Sequence, residues 1–388
     1  MSKVLKVGFI PLTDAAPLVI AQEIGFAAEE NIALDFLRVP SWSAMRDYLM
    51  LGHIDVAHML APIPVANALG LGSVEGDLDV LAALNLSGNA ITVSCDVAEE
   101  MRAAGYGFDF ADATAAGQAL IGLGRQLRIG VPFPFSMHAE LLYYWLEAPG
   151  LAAPQALSVR TVPPPLMAEA LAQGEIDAFC VGEPWGSLAV ENGHGTLLLP
   201  TSAIWNTAIE KVVAARRGWA EADPERAGGL LRTLWKAGQW LDQPEKRGTA
   251  AEILARPGYL DLPVGLVERA LRGDFVISPR GDIRHADRFV TFHDGAANFP
   301  WRSQAAWMGM RIAKRLGLDR RESMAAAKAV FRTDLYRAHL RGIRADLPSA
   351  SEKVEGTLDH PTAVPSETGR VILAADRFFD GSVFDPMA

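Results

Sequence analysis

At 388 residues, half of them apolar, the chain is long enough for two or three domains with substantial cores. Its 46 acidic residues outnumber 36 basic ones for a formal charge of −10, which argues against the chain as a whole being a nucleic-acid binder. The two cysteines, Cys95 and Cys180, supply neither a disulfide framework nor a metal-ligand cluster and suit a reducing compartment.

The opening MSKVLK lacks the long apolar core and small-residue cleavage site of an export signal, and no apolar run reaches about 18 residues. A cytoplasmic protein with no membrane span is therefore expected. Residues 4–11 (VLKVGFIP) form a short apolar run closed by Pro, the pattern of a buried strand. A helix is expected over 16–29, a strand over 33–39, a helix over 43–52 capped by Ser43 and ended by Gly52, and strands over 54–59 and 80–85. Then come strand 127–132, helix 136–147, strand 157–162, helix 165–174 and strand 176–182. Residues 90–93 are read as carrying the chain from one lobe to the other, and 212–216 as carrying it back. Beyond residue 220 the pattern is mostly helical: 224–241, 246–254, 264–272, 287–296 and a long region over 311–342. Residues 347–368, rich in Pro, Ser, Thr and Glu, read as a loop or linker, after which residues 371–373 and Phe378-Phe379 are placed to dock on the body.

The second set of elements echoes the first. LMLGHIDVAHMLAP at 49–62 matches LAQGEIDAFCVGEP at 171–184, so that Gly52 and Gly174, Ile54 and Ile176, and Asp55 and Asp177 each stand 122 residues apart. Lys6-Val7-Gly8 matches Arg128-Ile129-Gly130 at the same distance, and ALDFLRVP matches ALSVRTVP to within a residue. A period this long means a duplicated lobe and not a solenoid. The expected fold is α/β, two lobes of parallel βαβ units with a cleft between them. The expected division is 1–88 for the first part of lobe I, 89–216 for lobe II, 217–345 for a mostly helical completion of lobe I, and 346–388 for a C-terminal extension.

Ligands of open α/β sheets sit outside the carboxyl ends of the strands, which selects the loops at 11–17, 40–45, 60–64, 85–90, 133–138, 163–165 and 182–185. Trp42 stands where an indole N–H could close the cleft over a ligand, or where a Trp simply packs. His138 lies in the first turn of a helix, where free N–H groups and the macrodipole favour anions, although a satisfied core histidine is the commoner case. Asn89 offers a side-chain amide at the crossing, or a turn residue. Glu183 could orient a histidine or make an interlobe contact, and Lys211 could supply the cation for an anion or stand exposed.

The chain carries no G-x-x-x-x-G-K-[ST] loop, no G-x-S-x-G elbow and no H-E-x-x-H, and His58 and Asp55 fall on opposite faces of their strand. No nucleophile, base and orienter set emerges, so the chain is read as a non-enzyme with neither cofactor nor metal. Residues 311–344 depart from the acidic balance, with ten Lys or Arg against three acidic residues. Such a run is either a solvated helix face or a docking surface for an acidic partner.

Together PLVIAQEIGF, VPSWSAMRDYL, HMLAPIPVA, LAALNLSGNAITV, HAELLYYWL, VPPPLMAEAL, DAFCVGEPW and IWNTAIEKVVAAR resemble the nitrate- and bicarbonate-binding family of ABC-importer solute-binding proteins, over about residues 7–307. The resemblance implies a type II periplasmic-binding-protein-like fold. It places the family's anion-contacting Trp on Trp42, His on His138, Lys on Lys211 and Glu on Glu183. The family's Gln falls on the shorter Asn89, and its Gly-Gly-Thr before the His is replaced by Pro134-Phe135-Ser136-Met137. A form without a signal peptide and with an extended C-terminal region resembles the cytoplasmic nitrate/nitrite sensors of the NasS type. Those sensors are similar in pairing with an RNA-binding antiterminator of the ANTAR class, which is released when the anion binds. The expectation is a cytoplasmic nitrate or nitrite sensor that contacts no nucleic acid directly, with the solute-binding component of an ABC importer as the alternative.

Overall fold

Short apolar runs separated by helices pair as strands because the central ones bury both faces under the helices that follow them. The computed structural model of the chain describes residues 3–72, 74–153, 155–343 and 345–388. The first strands are β1 (Lys3–Phe9), β2 (Ile32–Arg38), β3 (Val56–Leu60), β4 (Leu78–Ser87) and β5 (Asn89–Ser94). They are followed by β6 (Arg128–Val131), β7 (Ser158–Thr161), β8 (Ala178–Gly182), β9 (Gly195–Pro200) and β10 (Ile209–Arg216). Three short strands come next, β11 (Asp274–Val276), β12 (Ile283–His285) and β13 (Val290–Thr291).

Two sheets result. The first runs β13-β4-β10-β3-β1-β2 and the second β7-β6-β8-β5-β9. In each, the core is a parallel trio, β2-β1-β3 and β7-β6-β8, flanked by antiparallel pairings of β10 with β3 and of β5 with β8. The chain crosses at Ser87-Gly88-Asn89, and the return lies between β9 and β10. Strand β10 pairs between β3 and β4, so Lys211 lies inside a central strand of the first sheet and not ahead of one.

The 122-residue echo has a physical cause in each lobe. Gly8 lies beneath Ile54 and Met45, and a Cβ there would come within 2.5 Å of Ile54 Cδ1; Gly130 lies beneath Ile176 and Met167, with 2.9 Å to Ile176 Cδ1. The Asp55 carboxylate accepts from the Lys6 backbone N–H at 2.9 Å, and Asp177 accepts from that of Arg128 at 2.8 Å. Val7 pairs with Val56 in β1–β3, and Ile129 with Ala178 in β6–β8, again with equivalent register. Each motif therefore closes one βαβ unit by the same packing and the same backbone anchor.

Several expected elements differ. The helix over 16–29 is two helices, Ala16–Glu23 and Phe26–Glu29, broken where Gly25 adopts φ 94°. The next helix is Trp42–Met50, and its cap is Ser41, which accepts from the Ala44 N–H, rather than Ser43. No helix forms over 287–296: Arg288 and Ala296 have φ of 52° and 60°, and the N–H groups of Phe292, His293 and Asp294 all donate to the Asp242 carboxylate. The long basic region is three helices, Arg302–Leu316, Arg320–Val330 and Thr333–Leu340.

Part of the basic charge over 311–344 is used inside the fold, while Lys314, Arg320, Arg321 and Arg341 are exposed. Arg315 reaches the buried Glu140 at 2.7 Å, Arg311 reaches Glu147 at 3.0 Å, and Arg332 ties Asp79, Glu221 and Asp334 together. Arg344 lies outside the described residues.

The expected linker over 347–368 is instead folded onto the body. It runs through the buried Glu355 into a hairpin of β14 (Thr362–Pro365) and β15 (Arg370–Leu373). Asp376 then accepts from Trp205 Nε1 at 2.8 Å and Thr207 Oγ1 at 2.6 Å, and Phe378 stacks on Trp205 with centroids 4.6 Å apart. The C-terminal segment thus packs on the return between the sheets. Low hydrophobicity misleads here because hydrogen bonds and one buried ion-pair cluster, Lys353 with Glu355 and Asp376, anchor it.

Candidate functional site between the two sheets

The loop after β1 forms the turn Thr13–Ala15, which carries Asp14 to the end of the first sheet. There Asp14 meets Lys211 of β10, with Oδ2 2.7 Å from Nζ, and His58 of β3, with Oδ1 2.9 Å from Nε2. The Ile10 N–H points at His58 Nδ1 from 3.5 Å, which favours the tautomer with its proton on Nε2, toward Asp14. Lys211 Nζ also lies 2.9 Å from the carboxylate of its neighbour Glu210. The second sheet reaches the same point: Asn89 at the start of β5 donates from Nδ2 to Glu210 Oε2 at 2.7 Å, and His138 Nδ1 lies 3.3 Å from Glu210 Oε1.

The whole cluster is buried. Asp14, His58, Asn89, His138, Glu210 and Lys211 are all at most 1% exposed. Burial opposes the ammonium of Lys211, but the charges of Asp14 and Glu210 outweigh it and hold its pKa above the usual lysine range. Burial likewise pushes Asp14 up, yet Lys211 and His58 together bring it down to about 2. Glu210 goes the other way, because burial exceeds what Lys211 returns and its pKa is raised. His138 is pushed well below the ordinary imidazole value by burial and by the Lys211 charge. The chemistry on offer is one firmly held ammonium beside the ionised Asp14, with Glu210 and the two imidazoles biased toward their neutral forms.

Of the five residues singled out in sequence, the structure brings four together. Trp42, first in its helix, sets its ring 5.6 Å from that of His58, with Lys211 Nζ 5.6 Å from its centroid. Its Nε1 is buried with no hydrogen-bond partner among the described residues, as are both ring nitrogens of His138 and Oδ1 of Asn89. His138 is positioned by Ser136, which caps the helix Met137–Glu147 by accepting from the Ala139 N–H. Glu183 is the exception: its carboxylate turns to its own following helix and accepts from the Ser187 N–H at 3.1 Å, while burial raises its pKa to about 7. Its backbone carbonyl, in contrast, joins the two sheets by accepting from the Thr13 N–H and Oγ1.

Sequence reasoning missed Asp14, His58 and Glu210. Asp14 stood in a selected loop, and a lone His in the apolar strand around Met59 was the available signal for His58. Nothing in the sequence distinguished Glu210. Approach of the two sheets is close: a Cβ on Gly182 would stand 3.2 Å from Asp14 Oδ2 and from Leu12 Cδ2, and Trp185 Nε1 donates across to the Pro11 carbonyl at 3.0 Å.

A family model described as the NMT1-like family matches residues 2–255. The nitrate/nitrite binding protein NrtA of Nostoc sp. is 30% identical over 98% of this chain and 82% of its own length. The nitrate import ATP-binding protein NrtC of Synechococcus elongatus is 31% identical over 90% of this chain and 52% of its own length. Among solved structures, the periplasmic nitrate-binding protein NrtA from Synechocystis superposes with a TM-score of 0.84 at 27% identity, covering all of this chain and 96% of the other. The two-lobe, periplasmic-binding-protein-like α/β fold is thus shared with a nitrate-binding protein over the full chain.

Proposed function

Because the chain belongs to the NMT1-like family, we propose that it is a nitrate-binding protein whose two lobes close around the anion, acting as the solute-binding component of an importer. The observation that carries this is the meeting of Lys211, Trp42, Asn89 and His138, from both lobes, in one buried cluster. Nitrate and nitrite are small planar monoanions whose oxygens accept hydrogen bonds. The indole N–H of Trp42, an imidazole N–H of His138 and the Lys211 ammonium are donors of the matching kind.

Closure is a population shift. An anion that touches groups from both lobes binds the closed form better than the open one and draws the equilibrium toward it. Each charge-assisted hydrogen bond supplies about 1.5–3 kcal/mol, so two or three of them offset a modest cost of closing. No bond is made or broken.

Similarity to NrtA and to NrtC favours work alongside a transporter. A sensor that controls an ANTAR-type antiterminator is the second reading. It draws on the segment around Asp376 and Phe378, which lies against the return between the lobes, where an outer surface could register closure. Calorimetry with nitrate on the wild type and on His138→Ala tests the site, and unchanged affinity in the variant would remove His138 from it. Pull-down with and without nitrate tests the setting. An antiterminator retained without the anion and released by it would replace the importer reading.

A further inference from the structure

The proposed anion site has an excess of negative charge. Two carboxylates, Asp14 at 2.7 Å and Glu210 at 2.9 Å, face the single ammonium of Lys211. His58 and His138 are the imidazoles of the cluster, Cys180 of β8 lies within electrostatic range of Glu210, and Asn89 is its neutral amide. With both carboxylates ionised and both imidazoles neutral, the cluster already carries one net negative charge before any ligand arrives. A monoanion would add a second charge in a buried site, where bulk solvent screens it poorly.

We propose that nitrate enters this site together with one proton, which is held between His138 and Glu210. The geometry points to that pair. His138 Nδ1 stands 3.3 Å from Glu210 Oε1, and Nδ1 and Nε2 have no hydrogen-bond partner among the described residues. A proton shared along the contact leaves an N–H toward Glu210 and a second N–H for the anion, and the net charge stays at −1. Asp14 is the weaker candidate, since Lys211 and His58 both stabilise its ionised form. Burial already raises Glu210, so part of the proton demand is met before binding at lower pH. On release of the anion the proton returns to solvent, so acid favours capture and alkali favours release.

This inference rests on the reading of the site as a nitrate site. The test is titration of the full-length protein with sodium nitrate at pH 8 in Tris and in HEPES, whose ionisation enthalpies differ. The expected result is an apparent enthalpy that differs between the buffers by an amount corresponding to roughly half to one proton taken up per nitrate. Affinity should weaken up to about tenfold per pH unit above pH 8. In Glu210→Gln, the uptake should fall toward zero and the affinity should become insensitive to pH. If that variant fails to fold, the wild-type comparison alone decides. Equal enthalpies in the two buffers, with nitrate bound and affinity flat from pH 6 to 9, overturn the inference but leave the nitrate reading standing. No nitrate heat at any pH overturns both.

Discussion

Lys211 Nζ lies 2.7 Å from Asp14 Oδ2, an ion pair between residues 197 positions apart whose side chains are at most 1% exposed. Two buried carboxylates depend on this one ammonium. Its removal leaves Asp14 and Glu210 facing each other without a counter-charge.

Replacing Lys211 by Met should therefore destabilise the fold by about 3–5 kcal/mol, the usual cost of breaking one side of a buried pair. Urea unfolding measures it. A Lys211→Met variant within about 1 kcal/mol of the wild type would show that Asp14 and Glu210 are protonated or hydrated in solution. Adding Glu210→Gln and Asp14→Asn to that variant should restore a good part of the loss.

Trp42 offers an isolated test of one donor. Its ring packs on His58 while its Nε1 has no partner among the described residues, so Trp42→Phe retains much of the packing and removes the N–H. Nitrate affinity should drop about tenfold, corresponding to about 1.4 kcal/mol for one lost hydrogen bond. Calorimetric affinity equal to that of the wild type would assign the Trp42 N–H to structure alone.

Gly182 sets how near the lobes come. A methyl there would stand 3.2 Å from both Asp14 Oδ2 and Leu12 Cδ2, closer than ordinary contact, with the crowding falling directly on the interlobe face. Gly182→Ala should weaken nitrate binding severalfold by disfavouring the closed form while leaving the separate lobes intact. Small-angle scattering should report a larger radius of gyration for the variant. An unchanged radius and unchanged affinity would mean that Leu12 yields.

Glu183 predicts a pH dependence of stability. Burial raises its carboxyl from the ordinary 4.5 to about 7, so the folded state holds its proton where the unfolded chain has lost it. This contribution is fully present below about pH 4.5 and is lost as the pH rises toward 7. The window corresponds to roughly 3 kcal/mol. The stability difference between wild type and Glu183→Gln, followed by urea unfolding at pH 4.5 and pH 8, should change by a large part of that amount. A constant difference would mean that Glu183 ionises normally.

The repeat was readable without coordinates because each of its residues has a local duty. Gly8 and Gly130 admit a covering Ile, and Asp55 and Asp177 tie down the N–H of a strand within the same βαβ unit. Such duties recur at a fixed spacing and leave a pattern. The helices Pro224–Leu241 and Val264–Arg272 were equally legible, from Pro at the first helical position of one and left-handed Gly273 at the end of the other. The segment over 287–296 was not, because Asp242, about fifty residues earlier, captures its N–H groups. Nor was the C-terminal segment, whose anchors are Trp205 and Thr207 rather than its own apolar content.

The amino-acid order by itself determined the two lobes, the cleft and the loops that reach it, including Trp42, Asn89, His138 and Lys211. Only the tertiary structure decided which charges share that cleft. Asp14, His58 and Glu210 join Lys211 because two neighbouring strands of the first sheet, β3 and β10, meet the turn Thr13–Ala15 there. Glu183, one residue beyond β8, turns its carboxylate away to its own helix. Periodicity gives the face a side chain occupies, since that is a property of its own strand or helix. The charge balance of a buried site is a sum over elements far apart in sequence, and it exists only once the lobes are closed.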